Sequence, residues 1–160
     1  MVKMILCIDA KGNIGRNNDL LFKMKEDMKF FRNTTKGNIV VMGYNTWLSL
    51  GEKQLPKRLN VVLTNEDIPN VETSNHIFKI IDKYEKDDRD IYIIGGAYVY
   101  NECLRLKVVD EILVTVVPVE VMDADTKVNL ELMNDYNDRK IIDTFVNEGG
   151  IKVTIEKWSK

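Results

Sequence analysis

Val40-Val41-Met42-Gly43-Tyr44-Asn45-Thr46 and Ile93-Ile94-Gly95-Gly96-Ala97-Tyr98 decide the fold. Each ends a buried apolar strand on glycine and opens a helix directly afterwards, the alternation that a mostly parallel, helix-covered sheet requires. Glycine lets another backbone approach closely, and the free N–H groups at a helix start attract phosphate. Two such turns suit the pyrophosphate of a dinucleotide. Neither matches a G-x-G-x-x-G or P-loop pattern, so each taken singly reads more readily as a plain tight turn.

Outward from these turns, five segments read as strands: Met4–Ile8, Ile39–Met42, Leu59–Thr64, Ile91–Ile94 and Glu111–Val117. Their continuous Ile, Val and Leu content predicts burial on both faces. Ile141–Val146 and Ile151–Trp158 flank Asn147-Glu148-Gly149-Gly150, and Ile151, Val153 and Ile155 alternate with polar residues, which predicts a closing antiparallel hairpin. Met24, Asp27, Met28 and Phe31 fall at i, i+3, i+4 and i+7 of one helix. Ile77, Ile80, Ile81 and Tyr84 repeat that spacing in a second, and shorter helices follow Tyr44 and Ala97. The expected class is α/β: a mostly parallel central sheet, helices on both faces, and a C-terminal antiparallel hairpin. A chain of 160 residues fits one such domain, 1–160, and no repeat or low-complexity linker divides it.

Composition narrows the function. A net charge of -2 offers no basic field for nucleic acid or a membrane surface. Residues 11 to 36 hold seven Lys or Arg against three acids, and 110 to 148 hold ten acids against three bases. That asymmetry either steers an anionic ligand toward the N-terminal half or is uneven solvated surface. Cys7, Cys103 and the single His76 provide neither a disulfide framework nor a metal cluster, and both cysteines sit in apolar runs that suit a core. Met1–Ala10 is too short an apolar run for a signal peptide or a membrane helix, so a cytoplasmic protein is expected.

Asp27 is the residue out of place. A carboxylate on an apolar stripe must lie at its edge, reach water in a cleft or meet a hydrogen-bond donor. In a cleft, partial burial raises its pKa and lets it exchange a proton with a bound ligand, whereas in the first turn of a solvated helix it merely complements the helix dipole. The loop Lys11-Gly12-Asn13-Ile14-Gly15, continued by Asn17, Asn18 and Asp19 into Leu20, Leu21 and Phe22, reads as a mobile lid or an ordinary surface loop.

Taken together, these residues resemble dihydrofolate reductase along nearly the whole chain. Ile14-Gly15 resembles the start of that family's active-site loop. Asp27 with Phe31 resembles the acid and aromatic of its substrate helix, and Val41-Met42-Gly43-Tyr44-Asn45-Thr46-Trp47 its cofactor turn. Leu55-Pro56-Lys57-Arg58-Leu59-Asn60 is similar to the segment that binds the substrate's glutamate tail. Ile94-Gly95-Gly96 with Tyr100 is similar to the nicotinamide-end motif, and Asp125-Thr126 lies in an acidic loop.

The resemblance implies hydride transfer from NADPH to dihydrofolate, in support of one-carbon metabolism and thymidylate synthesis. It implies a monomer that takes small molecules and neither nucleic acid nor membrane. Asp27 would hold the pterin's 2-amino and N3 edge, with Thr115 bonded to it and Phe22 beside it as the third catalytic position. Ile5, Cys7, Met28, Phe31, Leu50 and Ile94 would wall the substrate, and Arg58 would pair with its carboxylate. The cofactor would meet Cys7, Ile14, Gly15, Leu20, Gly43, Tyr44, Asn45, Thr46, Leu63, Thr64 and Asn65. Further along it would meet Ile94, Gly95, Gly96, Ala97, Tyr98, Val99, Tyr100 and Thr126.

The chain also departs from that family. Tyr44 and Tyr98 stand where many members carry arginines, Phe22 replaces a usual tryptophan, and Leu21 replaces a proline. The cofactor's 2'-phosphate is then left to Thr64 and Asn65, which hydrogen-bond without charge. Two other readings stay open on sequence alone: a pyrimidine reductase of riboflavin synthesis on the same architecture, and a non-catalytic folate or nucleotide binding module.

Overall fold

The apolar runs pair as their composition requires. The computed structural model describes residues 1–160. In chain order the strands and helices are β1 (Val2–Ile8), β2 (Asn13–Arg16), β3 (Asp19–Leu20), α1 (Lys25–Thr35), β4 (Ile39–Gly43), α2 (Tyr44–Ser49), β5 (Leu59–Leu63), β6 (Glu72–Ser74), α3 (Ile77–Lys83), β7 (Ile91–Ile93), α4 (Ala97–Arg105), β8 (Glu111–Val116), β9 (Thr126–Lys127), β10 (Asp138–Val146) and β11 (Lys152–Ser159). Eight strands form the main sheet in the order β10-β11-β8-β1-β7-β4-β5-β6. Six of them, β8 through β6, run parallel, and β11 and β10 close one edge antiparallel.

Burial explains why these segments became strands. All five residues of β4 are buried and all three of β7, because helices cover both faces of the central parallel strands. The larger core cluster packs Met4, Val41, Ile93, Ile112 and Tyr100 on one face, and a second packs Ile5, Val40, Met42, Trp47 and Tyr92 on the other. The α/β reading with its C-terminal hairpin is what the structure has.

Three features differ from the sequence reading. The polar loop after β1 contains β2 and β3, which join β9 in a separate three-stranded sheet. An additional edge strand, β6, pairs with β5. β6 and the small-sheet strands are short, mostly polar segments held by backbone pairing, and therefore carry no continuous apolar signature. Met24, expected in the stripe of α1, is instead its N-cap, and Thr35 is the only fully buried residue of that helix. The face that carries Asp27 and Phe31 therefore borders open space. No helix is long and apolar enough to cross a membrane.

Candidate active site

The site is assembled from the exits of the parallel strands and the exposed face of α1. Thr115, near the end of β8, is buried and donates its hydroxyl to Oδ1 of Asp27. Burial pushes the Asp27 carboxyl above its ordinary value, and the Thr115 hydroxyl pulls part of the way back. A carboxylic acid so placed holds its proton to higher pH than a surface aspartate. Thr115→Val removes the compensating donor, so the acid limb of a pH–rate profile is expected to move to higher pH; an unmoved limb would show that the hydroxyl has no hold on Asp27.

Beside Asp27 stands an apolar wall. Ile5 is buried in the cluster against which Phe31, Leu50 and Ile94 pack, so four of the expected substrate contacts belong to one packed group. Met28, by contrast, is 53% exposed and lies outside that packing. Cys7 and Phe22 pack with Met24 and Val117 in a third cluster. Burial, with the nearby Asp27 and Asp9 carboxylates, drives the Cys7 thiol far up, which makes it inert packing at this wall.

At the far end of the α1 face, Arg58 is fixed by its own loop. Its Nε donates to Pro56 O at 2.9 Å and its Nη1 to Thr35 Oγ1 at 3.0 Å, while its guanidinium lies 5.9 Å from the Phe31 ring. Asn60, fully buried, clamps the loop by donating to Leu55 O and Arg58 O and accepting from Leu55 N. Partial burial and the neighbouring Arg32 charge lower the Arg58 pKa, so two guanidiniums share this end, and neither is engaged in a salt bridge. An anion is the natural complement.

The glycine turns meet each other. Gly43 N donates to Gly95 O at 2.8 Å, which brings the exits of β4 and β7 together. Gly43 and Gly96 are the N-caps of α2 and α4 and supply no side-chain cap, so the first-turn N–H groups remain free to receive an anion. A Cβ on Gly43 would lie 2.9 Å from Val99 Cγ2. Gly95 has φ of 126°, and a Cβ there would meet the Tyr100 hydroxyl at 3.4 Å and Thr46 Oγ1 at 3.5 Å. Only glycine keeps this cradle open, and its free amides with the Thr46 hydroxyl form a donor set that fits a pyrophosphate.

Around the cradle, Ala97 is half-buried, and Tyr44, Asn45 and Tyr98 are exposed on the first turns of α2 and α4. Val99 and Tyr100, expected to touch the cofactor, are core residues beneath the turn: Val99 packs on Gly43, and Tyr100 donates its hydroxyl to Ile5 O at 2.8 Å. Leu63, Thr64 and Asn65 leave the end of β5, beside β4.

The loop read as a lid carries Ile14, Gly15 and Leu20 in the small sheet. Asp125 ties it down by donating its N–H to Gly15 O at 3.1 Å and accepting from Asn17 N at 2.9 Å. Thr126 stands opposite Gly15 and spends its hydroxyl on Asp125. Ile14 packs on the core, whereas Leu20 is exposed.

Sequence reasoning missed Asp9, the deepest acid of the site region. Fully buried after β1, it accepts from Lys11 N, Asn13 N, Asn13 Nδ2 and Val121 N at 2.8–2.9 Å. It joins the base of the lid to the segment following β8. The only signal was an acid closing an apolar strand just before a glycine-asparagine turn. Thr35 was also missed; as an i+4 neighbour of Phe31 that returns its hydroxyl to Phe31 O, it faces inward and receives Arg58.

Known proteins are similar to this chain over most of its length. A family model described as dihydrofolate reductase matches residues 1–149. The dihydrofolate reductase of Ureaplasma parvum is 30% identical over 151 residues, covering 91% of this chain and 94% of the relative. The segregation and condensation protein A of Mycoplasma pneumoniae is 35% identical over 137 residues, 82% of this chain, but this chain spans only 25% of that longer protein. Among solved structures, the dihydrofolate reductase from Enterococcus faecalis, complexed with NADP(H) and RAB-propyl, superposes with a TM-score of 0.83 at 25% identity, covering 99% of this chain and 95% of that one. These matches favour neither the pyrimidine reductase nor the non-catalytic module. The acid on α1, the paired glycine turns and the matched 149 residues agree in placing the chain in the dihydrofolate reductase family.

Proposed function

We propose that the chain reduces dihydrofolate to tetrahydrofolate with NADPH, as one domain over 1–160, and so supplies one-carbon metabolism and thymidylate synthesis. The observation that carries this reading is the Asp27 carboxyl held by Thr115 beside the apolar wall of Ile5, Phe31, Leu50 and Ile94. Bound NADPH supplies the hydride. The chain binds, orients and protects.

Asp27 accepts two hydrogen bonds from the planar 2-amino and N3 edge of the pterin, a pairing that a carboxylate makes well. The same pose keeps it from the pterin N5, so the proton arrives there through water, and Asp27 sets the local field that favours it. Phe31 and Ile94 fix the ring plane, and Arg58 takes the glutamate carboxylate at the other end. Tyr100 braces the Ile5 wall through its bond to the Ile5 carbonyl. Gly43, Thr46, Gly95 and Gly96 hold the pyrophosphate, and Phe22 with Leu20 covers the reacting rings against bulk water. The enzyme acts on small molecules as a cytoplasmic monomer, and its net charge of -2 offers no basic field for nucleic acid or a membrane surface.

Oxidation of NADPH by the purified chain in the presence of dihydrofolate tests the proposal, and a folded protein without turnover overturns it. Arg58→Ala in the same assay is expected to raise the KM for dihydrofolate about 10–100-fold, the worth of a hydrogen bond to a charged group, with kcat nearly unchanged. An unaltered KM removes Arg58 from the substrate.

A further inference from the structure

The order of strands gives the cofactor a direction. Asp27 and Thr115 lie at β8 beside β1, the glycine turns at β7 and β4, and the next strands outward are β5 and β6. A dinucleotide with its nicotinamide toward Asp27 and its pyrophosphate on the turns therefore runs its adenosine end over the exits of β5 and β6. Ligands of open parallel sheets sit along this carboxyl edge.

At those exits lies an open cavity of about 320 Å³ walled only by polar side chains, among them Thr64, Asn65, Glu66, Asp67 and Lys79. Its charge balance is unusual for a phosphate site. Lys79 brings one positive charge, Glu66 and Asp67 bring two negative ones, and none of the three is engaged in a salt bridge. Nearby His76 uses Nδ1 to accept the Phe78 N–H, and Tyr44 and Tyr98, exposed at the adjoining turns, add hydroxyls without charge.

The two nicotinamide cofactors differ at this end alone. A 2'-phosphate carries close to two negative charges at neutral pH, and a wall that is net negative opposes it. A free ribose hydroxyl has the opposite requirement, because it donates to a carboxylate. We infer that the chain binds and uses NADH about as well as NADPH, with Glu66 and Asp67 receiving the ribose of NADH and Lys79 retaining the phosphate of NADPH. The inference rests on reading this site as a nicotinamide-dependent reductase.

Calorimetric titration of the parent protein with NADP+ and with NAD+ tests it without turnover. The two Kd values are expected within about tenfold of each other, and kcat/KM with dihydrofolate should show the same ratio for NADPH and NADH. Glu66→Gln combined with Asp67→Asn is expected to tighten NADP+ about 3–10-fold and to weaken NAD+, whereas Lys79→Ala weakens NADP+ by a similar factor and leaves NAD+ unchanged. NADP+ binding more than about tenfold tighter than NAD+ overturns the inference, as does an NADP+ affinity that ignores loss of the two carboxylates. Binding of neither dinucleotide to the folded parent overturns the reductase reading itself, so the two failures are separable.

Discussion

Asp27→Asn is expected to lower kcat/KM for dihydrofolate by about 10²–10⁴-fold, the range that a positioned acid or base contributes. The amide keeps an oxygen for the Thr115 hydroxyl but presents an N–H₂ group to a donor edge of the pterin, and it cannot carry the charge that polarises the ring. Folding should respond in the opposite direction. Because burial raises the folded-state pKa of Asp27 above its unfolded value, the folded chain binds more protons between the two. Stability therefore falls as pH rises through that window, and above it the half-buried carboxylate weighs against the fold. Asparagine removes that burden, so the ligand-free variant should melt higher than the parent at neutral pH. Steady-state kinetics and a thermal melt on the same preparations read both effects; retained activity, or a lower melting point, would contradict this assignment.

Asp9→Asn should have the largest effect on stability. The two carboxylate oxygens of Asp9 receive four N–H groups, and asparagine leaves two of them facing an N–H₂ group. A buried donor without a partner costs about 1–3 kcal/mol, so a loss of about 2–6 kcal/mol is expected, visible as a lower urea midpoint with an unchanged slope. The pH dependence is the reverse of that at Asp27. Burial pushes the Asp9 pKa up, but the Val121, Asn13 and Lys11 donors outweigh it and hold the carboxyl below its ordinary value. Its stabilisation is present above the unfolded-state pKa and is lost as pH falls through the folded-state value. The gap between parent and variant should therefore close in acid; a gap of constant size would show that the charge of Asp9 is not what holds the lid.

The sequence disclosed the parts of this fold that are written in apolar side chains. β4 and β7 are legible because a parallel strand covered on both faces must be apolar throughout, and α1 because its contacts repeat at helical spacing. β6 and the small sheet of β2, β3 and β9 were illegible because backbone amides make their pairings, and Asn13 finds Lys127 across more than a hundred residues.

Within the site, Asp27 stood out by conflict with its neighbours, but its bond to Thr115 was implied only by family resemblance. Val99 and Tyr100 show what a motif leaves unsaid about packing. They belong to the cofactor turn in sequence, yet the helix turns them under it into the core. Asp9 was unreadable because two of its four donors belong to Asn13 and one to Val121, and only the folded chain brings those loops together.

Single-turnover kinetics test the central claim most directly: protein saturated with NADPH is mixed with dihydrofolate, and the loss of reduced nicotinamide is followed in the parent and in Asp27→Asn. A rapid burst of one equivalent in the parent, slowed at least about 100-fold in a variant that binds NADPH equally well, is the predicted result. Equal bursts from both proteins, or none from a parent that binds both ligands, would contradict it.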